Sequence, residues 1–165
     1  MPKNGKPTRS PSQSPKFDAR FSSAQTELLP ILEFIGVTEL KPSPTNARTH
    51  SKRQIREIKN GIKEFGFIAP ILIDETNLIL AGHGRLEAAK LLGMTSVPCV
   101  RHSHMSEAQK CAYSIADNRL AQLAGWDDNL LAEQIESLMG ITPGFDITLT
   151  GFSIPEIDGL IELLR

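Results

Sequence analysis

The feature that most restricts how this chain can fold is a change of hydrophobic period between Leu78 and Gly93. Leu78-Ile79-Leu80 is a short, continuous apolar run, which predicts a strand. From Arg85 onward Leu86, Ala89 and Leu92 recur at helical spacing, and Gly93 is a residue suited to stop a helix. Between the two patterns stands Ala81-Gly82-His83-Gly84-Arg85. Its glycines permit positive φ and let another molecule come close to the backbone. A strand that turns sharply into a helix leaves N–H groups unpaired at the positive end of the helix dipole, a setting that favours phosphate. Arg85 falls in the first turn, where a cation opposes the dipole unless something negative is bound. The pattern fits a phosphate site. It fits equally a plain strand–helix connection with Arg85 in a structural ion pair, and the spacing does not separate them.

Around this turn the chain alternates short strands and helices. Phe34–Thr38 reads as a first strand, followed by Lys41–His50, a loop that Pro42 and Pro44 hold extended. Ser51 is a good N-cap for a helix with Ile55, Ile58, Ile62 and Phe65 on one face and Gly66 at its end. Lys52, Arg53, Arg56, Lys59 and Lys63 fill its polar face, for which solvation is the default explanation and contact with DNA phosphate the alternative. Phe67–Ile73 and Leu78–Leu80 form a hairpin across Asp74–Asn77, and Val97–Arg101 is a further strand. Ser106 caps a helix whose apolar stripe is Ala108, Cys111, Ile115, Ala116, Leu120 and Leu123, ending at Gly125. Trp126 anchors the junction to a helix capped by Asp127; Ile147–Leu149 reads as extended, and Ser153 opens a last helix. The expected fold is α/β (α+β), a small mixed sheet with packed helices and a C-terminal helical extension.

Charge divides the chain of 165 residues. Residues 1–105 carry 15 Lys and Arg against 9 Asp and Glu; residues 106–165 carry 3 against 10. The basic part suits polyphosphate or nucleic acid, while the acidic part argues against a second DNA-binding module. Residues 1–24, rich in Pro, Ser and Lys, are expected to be a disordered basic tail, 25–105 an α/β domain, and 106–165 the acidic extension. Cys99 reads as a core thiol, and with Cys111 it makes neither a metal-ligand pattern nor a disulfide framework. His102 and His104 lack a third ligand at a convincing spacing and read as surface residues. With no membrane-length apolar run and no signal-peptide core, the expected compartment is the cytoplasm, without membrane attachment.

The order of parts is recognisable. A Pro-Asn-Arg loop, a basic helix, Gly-Phe-Ile-x-Pro, a hairpin, the Ala-Gly-x-x-Arg helix, Leu-Gly and a Val-Pro strand together resemble the N-terminal domain of ParB proteins, in the ParB/sulfiredoxin superfamily, over residues 34–124. Ala116-Asp117-Asn118-Arg119-Leu120-Ala121, Ala124-Gly125-Trp126-Asp127 and Leu149-Thr150-Gly151-Phe152 further resemble ParB-like domains of phage and mobile-element proteins, often joined to DNA methyltransferases.

The resemblance implies a site for a nucleoside triphosphate, CTP or ATP, with Mg²⁺. Gly82, His83, Gly84 and Arg85 stand at the family's Gly-Glu-Arg-Arg turn, and Arg48 at the arginine of its Pro-x-Arg loop. Gly66, Ile68 and Pro70 match the segment lining the nucleoside side, and Asp117 and Asn118 match a Glu-Asn pair suited to a hard cation. His83 replaces the family's glutamate, Gly84 its first arginine, and Ala121 the arginine after the Glu-Asn pair. His83 also stands where sulfiredoxins carry a catalytic cysteine, which excludes that reductase chemistry. The implied function is a nucleotide-binding, DNA-associated module of a phage or plasmid DNA-modification or partition system, with a homodimer and a DNA methyltransferase among its partners. The alternatives are the N-terminal regulatory part of an adenine- or cytosine-specific DNA methyltransferase, or a ParB-like nuclease. No methylase motif occurs within these residues.

Overall fold

The computed structural model describes residues 31–142 and 144–165; the expected basic tail, 1–24, lies outside them. A four-stranded mixed sheet has the order β1-β4-β2-β3. Strand β1 (Ile31–Gly36) runs antiparallel to β4 (Ser96–Arg101), with Phe34 opposite Pro98. Strand β4 is parallel to β2 (Ile71–Ile73), which pairs antiparallel with β3 (Ile79–Ala81). The first strand starts earlier than its composition predicts and stops at Gly36. Glu39 N–H closes a turn onto the Gly36 carbonyl at 2.9 Å, so the strand ends there, with the Val37 N–H making a last cross-strand bond to the Thr95 carbonyl at 3.0 Å. The expected strand from Phe67 likewise shrinks to Ile71–Ile73, because the Ile68 N–H turns back to the Gly66 carbonyl at 3.0 Å and the Ala69 and Pro70 carbonyls accept from Arg85.

Helix α1 (Lys52–Phe65) begins where Ser51 Oγ accepts the Gln54 N–H at 3.1 Å, and ends at Gly66 with φ 84°. Helix α2 (His83–Leu91) follows β3 directly and ends before Gly93, whose φ is 69°. One sheet face buries Ile35, Ile71, Ile73, Ile79, Val97 and Cys99 against Leu86 and Ala89 of α2. Each buried Ile, Val or Leu among them contributes about 1.5–3 kcal/mol relative to exposure. Burial first, and Glu33 second, push the Cys99 thiol up to about 11, as expected of an unreactive core cysteine.

Helix α3 (Glu107–Leu123) opens with a capping box between Ser106 and Gln109. Its apolar stripe does not pack as its periodicity predicts: Cys111, Ile115, Leu120 and Leu123 are exposed. Its one fully buried residue is Lys110. Helix α4 (Asp128–Ile141), capped by Asp127, packs through Leu131 and Ile135 on Ile157 of α5 (Ile154–Glu162), a second small core. Between them Ile147–Thr150 is a 3₁₀ turn rather than extended, because Asp146 Oδ1 accepts both the N–H and the hydroxyl of Thr148. Trp126 meets Phe152 edge-on at 5.9 Å but stays largely exposed.

The hairpin turn carries the most deeply buried charge. Asp74 is 2% exposed, and its Oδ1 accepts the N–H groups of Thr76 and Leu78 and the Thr76 hydroxyl. Its Oδ2 lies 2.9 Å from Lys110 Nζ. Burial alone would push this carboxyl up; the Lys110 ammonium and those donors outweigh it and hold it at about 2. Stability from Asp74 is therefore present above its ordinary value of 3.8 and is lost as pH falls through about 2. The shift corresponds to about 2 kcal/mol. In urea unfolding, Asp74→Asn is expected to be less stable than the wild type by about this amount near neutral pH, with the gap closing toward pH ~2. A gap independent of pH would contradict this role.

Candidate functional site

The connection from β3 to α2 is tighter than its glycines alone require. Gly82, the N-cap of α2, has φ 106°, a conformation that side chains rarely adopt. Gly84 is a glycine for a different reason: a Cβ there would lie 3.0 Å from Ile58 Cδ1 and 3.1 Å from His50 Cε1. The absent side chain lets α1 pack directly on the first turn of α2. No side chain caps α2, and the first bond back to Gly82 comes from Leu86, so the N–H groups of His83, Gly84 and Arg85 have no partner in the helix.

Arg85 does not form the ion pair that the alternative reading required. Its Nη1 donates to the Ala69 carbonyl at 2.8 Å and the Pro70 carbonyl at 2.7 Å, and among the described residues it makes no salt bridge. Burial lowers its pKa, while Asp117 and Tyr113 act in the opposite direction. A half-buried cation that finds only carbonyl partners, beside a bare helix N-terminus, creates a local positive potential.

His83 points its Nε2 to the backbone of the proline-containing loop and accepts the Ser43 N–H at 3.1 Å. That bond requires an unprotonated Nε2 and places the ring proton of the neutral form on Nδ1. Burial, then the neighbouring His50, lower the His83 pKa, and Glu87 offsets part of this. The same loop fixes Arg48: Asn46 Oδ1 accepts the Arg48 N–H at 3.1 Å, and Asn46 Nδ2 donates to the Arg48 carbonyl at 3.2 Å.

These groups meet. Arg48, Gly82, His83, Gly84, Arg85, Asp117 and Asn118 line one cleft of about 130 Å³. Arg85 and Ile58 also border an apolar recess of about 380 Å³ that Gly66 and Ile68 line. Pro70 lines neither; its carbonyl instead holds Arg85. On the other side, Arg48 and Asn118 open onto a space of about 250 Å³ beside Arg119. The three adjoin in a trough with an apolar recess at one end, a cationic middle and a space of mixed lining at the other end. Asn118 Nδ2 donates to the Ser114 carbonyl at 2.8 Å, which aims the amide and leaves its oxygen available, while Asp117 receives the Tyr113 hydroxyl at 3.4 Å. One carboxylate and one amide oxygen fit a magnesium ion held mainly by phosphates. Among the described residues no three His, Cys, Asp or Glu side chains gather to form a protein-only metal site.

Asn46, His50 and Ile58 also line the cleft. Their loop and helix were legible in the sequence, but their convergence was not: it depends on α1 crossing α2 at Gly84. Lys110 gave no signal at all, being a lone lysine beside an apolar stripe.

The ParB N-terminal domain family matches residues 21–119, more than half of the chain. The chain belongs to this family. A second match, to the ParB-methyltransferase HTH domain family, covers residues 129–163, which are α4, the 3₁₀ turn and α5. It adds a similarity to a helix-turn-helix family within the acidic part, where charge alone argued against a second DNA-binding module. The ParB-like nuclease domain-containing protein YnaK of Escherichia coli is 49% identical over 72 residues, 44% of this chain and 83% of that protein. A probable chromosome-partitioning protein ParB of Xylella fastidiosa is 34% identical over 146 residues, 82% of this chain but only 45% of that protein. The one from Rickettsia bellii is 32% identical over 79 residues, 47% of this chain and 28% of its own length. Among solved structures, the chromosome-partitioning protein ParB of Caulobacter crescentus complexed with CTP-gamma-S superposes with a TM-score of 0.67 at 22% identity. That alignment covers 81% of this chain and 78% of the other, and shows a shared fold. The mixed α/β architecture is that of a ParB-like domain, and no described helix is long and apolar enough to cross a membrane.

The His83 geometry makes a direct prediction. Followed by NMR, its ring is expected to titrate below 6.5, its ordinary value. The Ser43 amide signal should shift with the same midpoint as the bond breaks. A titration at or above that value in the ligand-free protein would contradict the contact.

Proposed function

We propose that this ParB-like domain binds a nucleoside triphosphate in the trough and that occupancy controls its association with DNA. The observation that carries the reading is the charge of Arg85, which has no carboxylate partner among the described residues, beside the bare N-terminus of α2 and inside a cleft that Arg48 also lines. The phosphates take the N–H groups of the Gly82–Arg85 turn and the two guanidinium groups. The nucleoside occupies the apolar recess at Gly66 and Ile68, at whose edge the Pro70 carbonyl holds Arg85. A magnesium ion, when bound, supplies charge neutralisation between phosphate oxygens, Asp117 and Asn118. His83 and Gly84 stand where the family has a glutamate and an arginine, so the phosphate contacts here come from backbone and from Arg48 and Arg85. The relative crystallised with CTP-gamma-S supports a nucleotide, with CTP ahead of ATP.

DNA is the proposed macromolecular partner, in a partition or DNA-modification system of a chromosome, plasmid or phage, which would make the protein nucleoid-associated within the cytoplasm. The helix-turn-helix match and the partition proteins among the relatives support this. We take residues 25–105 as the α/β unit and 106–165 as the extension that carries the DNA contact. The exposed Ile115, Leu120 and Leu123 of α3 support a homodimer. The description of the second family also favours a regulatory module working with a DNA methyltransferase domain.

Calorimetry with CTP and with ATP, each with and without Mg²⁺, tests the reading. The wild type is expected to bind one of them saturably. Arg85→Ala should weaken binding at least ~30-fold, about 2 kcal/mol for a charge-assisted contact. A folded protein that binds neither nucleotide would refute the triphosphate site and leave the methyltransferase-linked scaffold as the better account.

A further inference from the structure

Helix α3 brings Asp117 and Asn118 to the cleft, yet it buries almost no apolar surface to hold itself there. Ile115, Leu120 and Leu123 are 61%, 65% and 62% exposed, whereas Lys110 is 6% exposed. The Lys110 ammonium has three protons and three carboxylate partners: Asp74 at 2.9 Å, Glu75 at 3.0 Å and Glu107 at 3.0 Å. Asp74 cannot follow a moving helix. Its second oxygen is fixed by Thr76 and Leu78, and its carbonyl accepts Arg101 Nη1 at 2.6 Å. Lys110 is therefore tied to the rigid turn between β2 and β3.

Asp117 lies seven residues further along α3. At about 100° per residue that is nearly two full turns, so both side chains sit on the same stripe, about 10 Å apart along the axis. The stripe has the ion cluster at one end and the cleft at the other. Tyr113 lies between them, with its hydroxyl on Asp117, and the charge of Asp117 is felt at Arg85. An apolar face can slide by a fraction of a turn at little cost; an ammonium held by two carboxylates of the β2–β3 turn, Asp74 and Glu75, is far more selective of position, while Glu107, on α3 itself, orients the Lys110 side chain.

We propose that Lys110 is a positioning residue for the site: its cluster with Asp74, Glu75 and Glu107 sets where α3 presents Asp117 and Asn118 to a magnesium-bound triphosphate. The inference rests on the nucleotide reading above and adds the element that sets the metal side of the site. It separates two halves of the trough. The Arg48 and Gly82–Arg85 half is built on α2 and its neighbouring loop, independent of Lys110, while the Asp117–Asn118 half depends on it.

The test uses the full chain. Lys110→Met alone leaves Asp74 charged and buried, which threatens the fold, so it is paired with the double variant Asp74→Asn/Lys110→Met, in which both buried charges are removed. Two quantities are measured: nucleotide affinity with and without Mg²⁺, and hydrogen exchange of the amides of residues 114–121. In the double variant the Mg²⁺-dependent gain in affinity is expected to fall at least ~10-fold while Mg²⁺-free binding changes less than ~3-fold, and exchange in 114–121 to accelerate at least ~10-fold. Lys110→Arg, which keeps the charge and the donors, should restore part of both. Wild-type exchange in 114–121, or an undiminished Mg²⁺ effect in a folded double variant, would overturn the proposal. If the wild type itself binds no nucleotide, the nucleotide reading fails by that result, and unchanged exchange would separately remove Lys110 as the anchor of α3.

Discussion

The contact on which the site depends is the grip of Arg85 on the carbonyls of Ala69 and Pro70. It joins the N-terminus of α2 to the segment that follows α1, and so sets the apolar recess against the cationic cleft. Carbonyls hold the guanidinium in place without cancelling its charge. An Arg–carboxylate pair in the same place would have given a more self-sufficient fold and a site of no use to an anion. The bare first turn of α2 adds to the same potential, since no side chain caps it.

The two glycines of the turn divide the work. Gly82 provides a backbone conformation, with φ 106°, and Gly84 provides space for Ile58 and His50. That second role also determines which residues line the cleft, because it allows α1 and the loop before it to approach. His83, between them, then links α2 to the loop carrying Asn46 and Arg48 through the Ser43 N–H. Cleft, loop and recess are thus consequences of one close helix–helix contact.

Much of this was legible in the sequence, for identifiable reasons. The strand–turn–helix at Leu78–Gly93 announced itself by a change of period, and the caps at Ser51, Ser106 and Asp127 by residue type. Of the seven cleft residues, Gly82–Arg85 were marked by the turn itself as well as by family resemblance, and Arg48, Asp117 and Asn118 by resemblance alone; the fold brings them together. What periodicity could not show was α3. Its apolar stripe reads as a buried face, whereas the helix is held by a buried lysine, and a lysine that pairs with three carboxylates looks in sequence like any solvated one. Ile147–Leu149, read as extended, differed for a local reason: the Asp146 side chain accepts the Thr148 N–H and turns the backbone instead. Net charge carried no information on the helical arrangement of residues 129–163, because charge governs partners and solubility rather than fold.

The central claim is that the backbone of the α2 N-terminus, with Arg85 beside it, receives phosphate. Amide NMR during titration with a Mg²⁺-nucleotide reads this atom by atom. The account predicts that the N–H signals of His83, Gly84 and Arg85 shift the most and saturate together, with the Ser43 amide following as the His83 contact responds. Saturable nucleotide binding that leaves those three signals in place would contradict it.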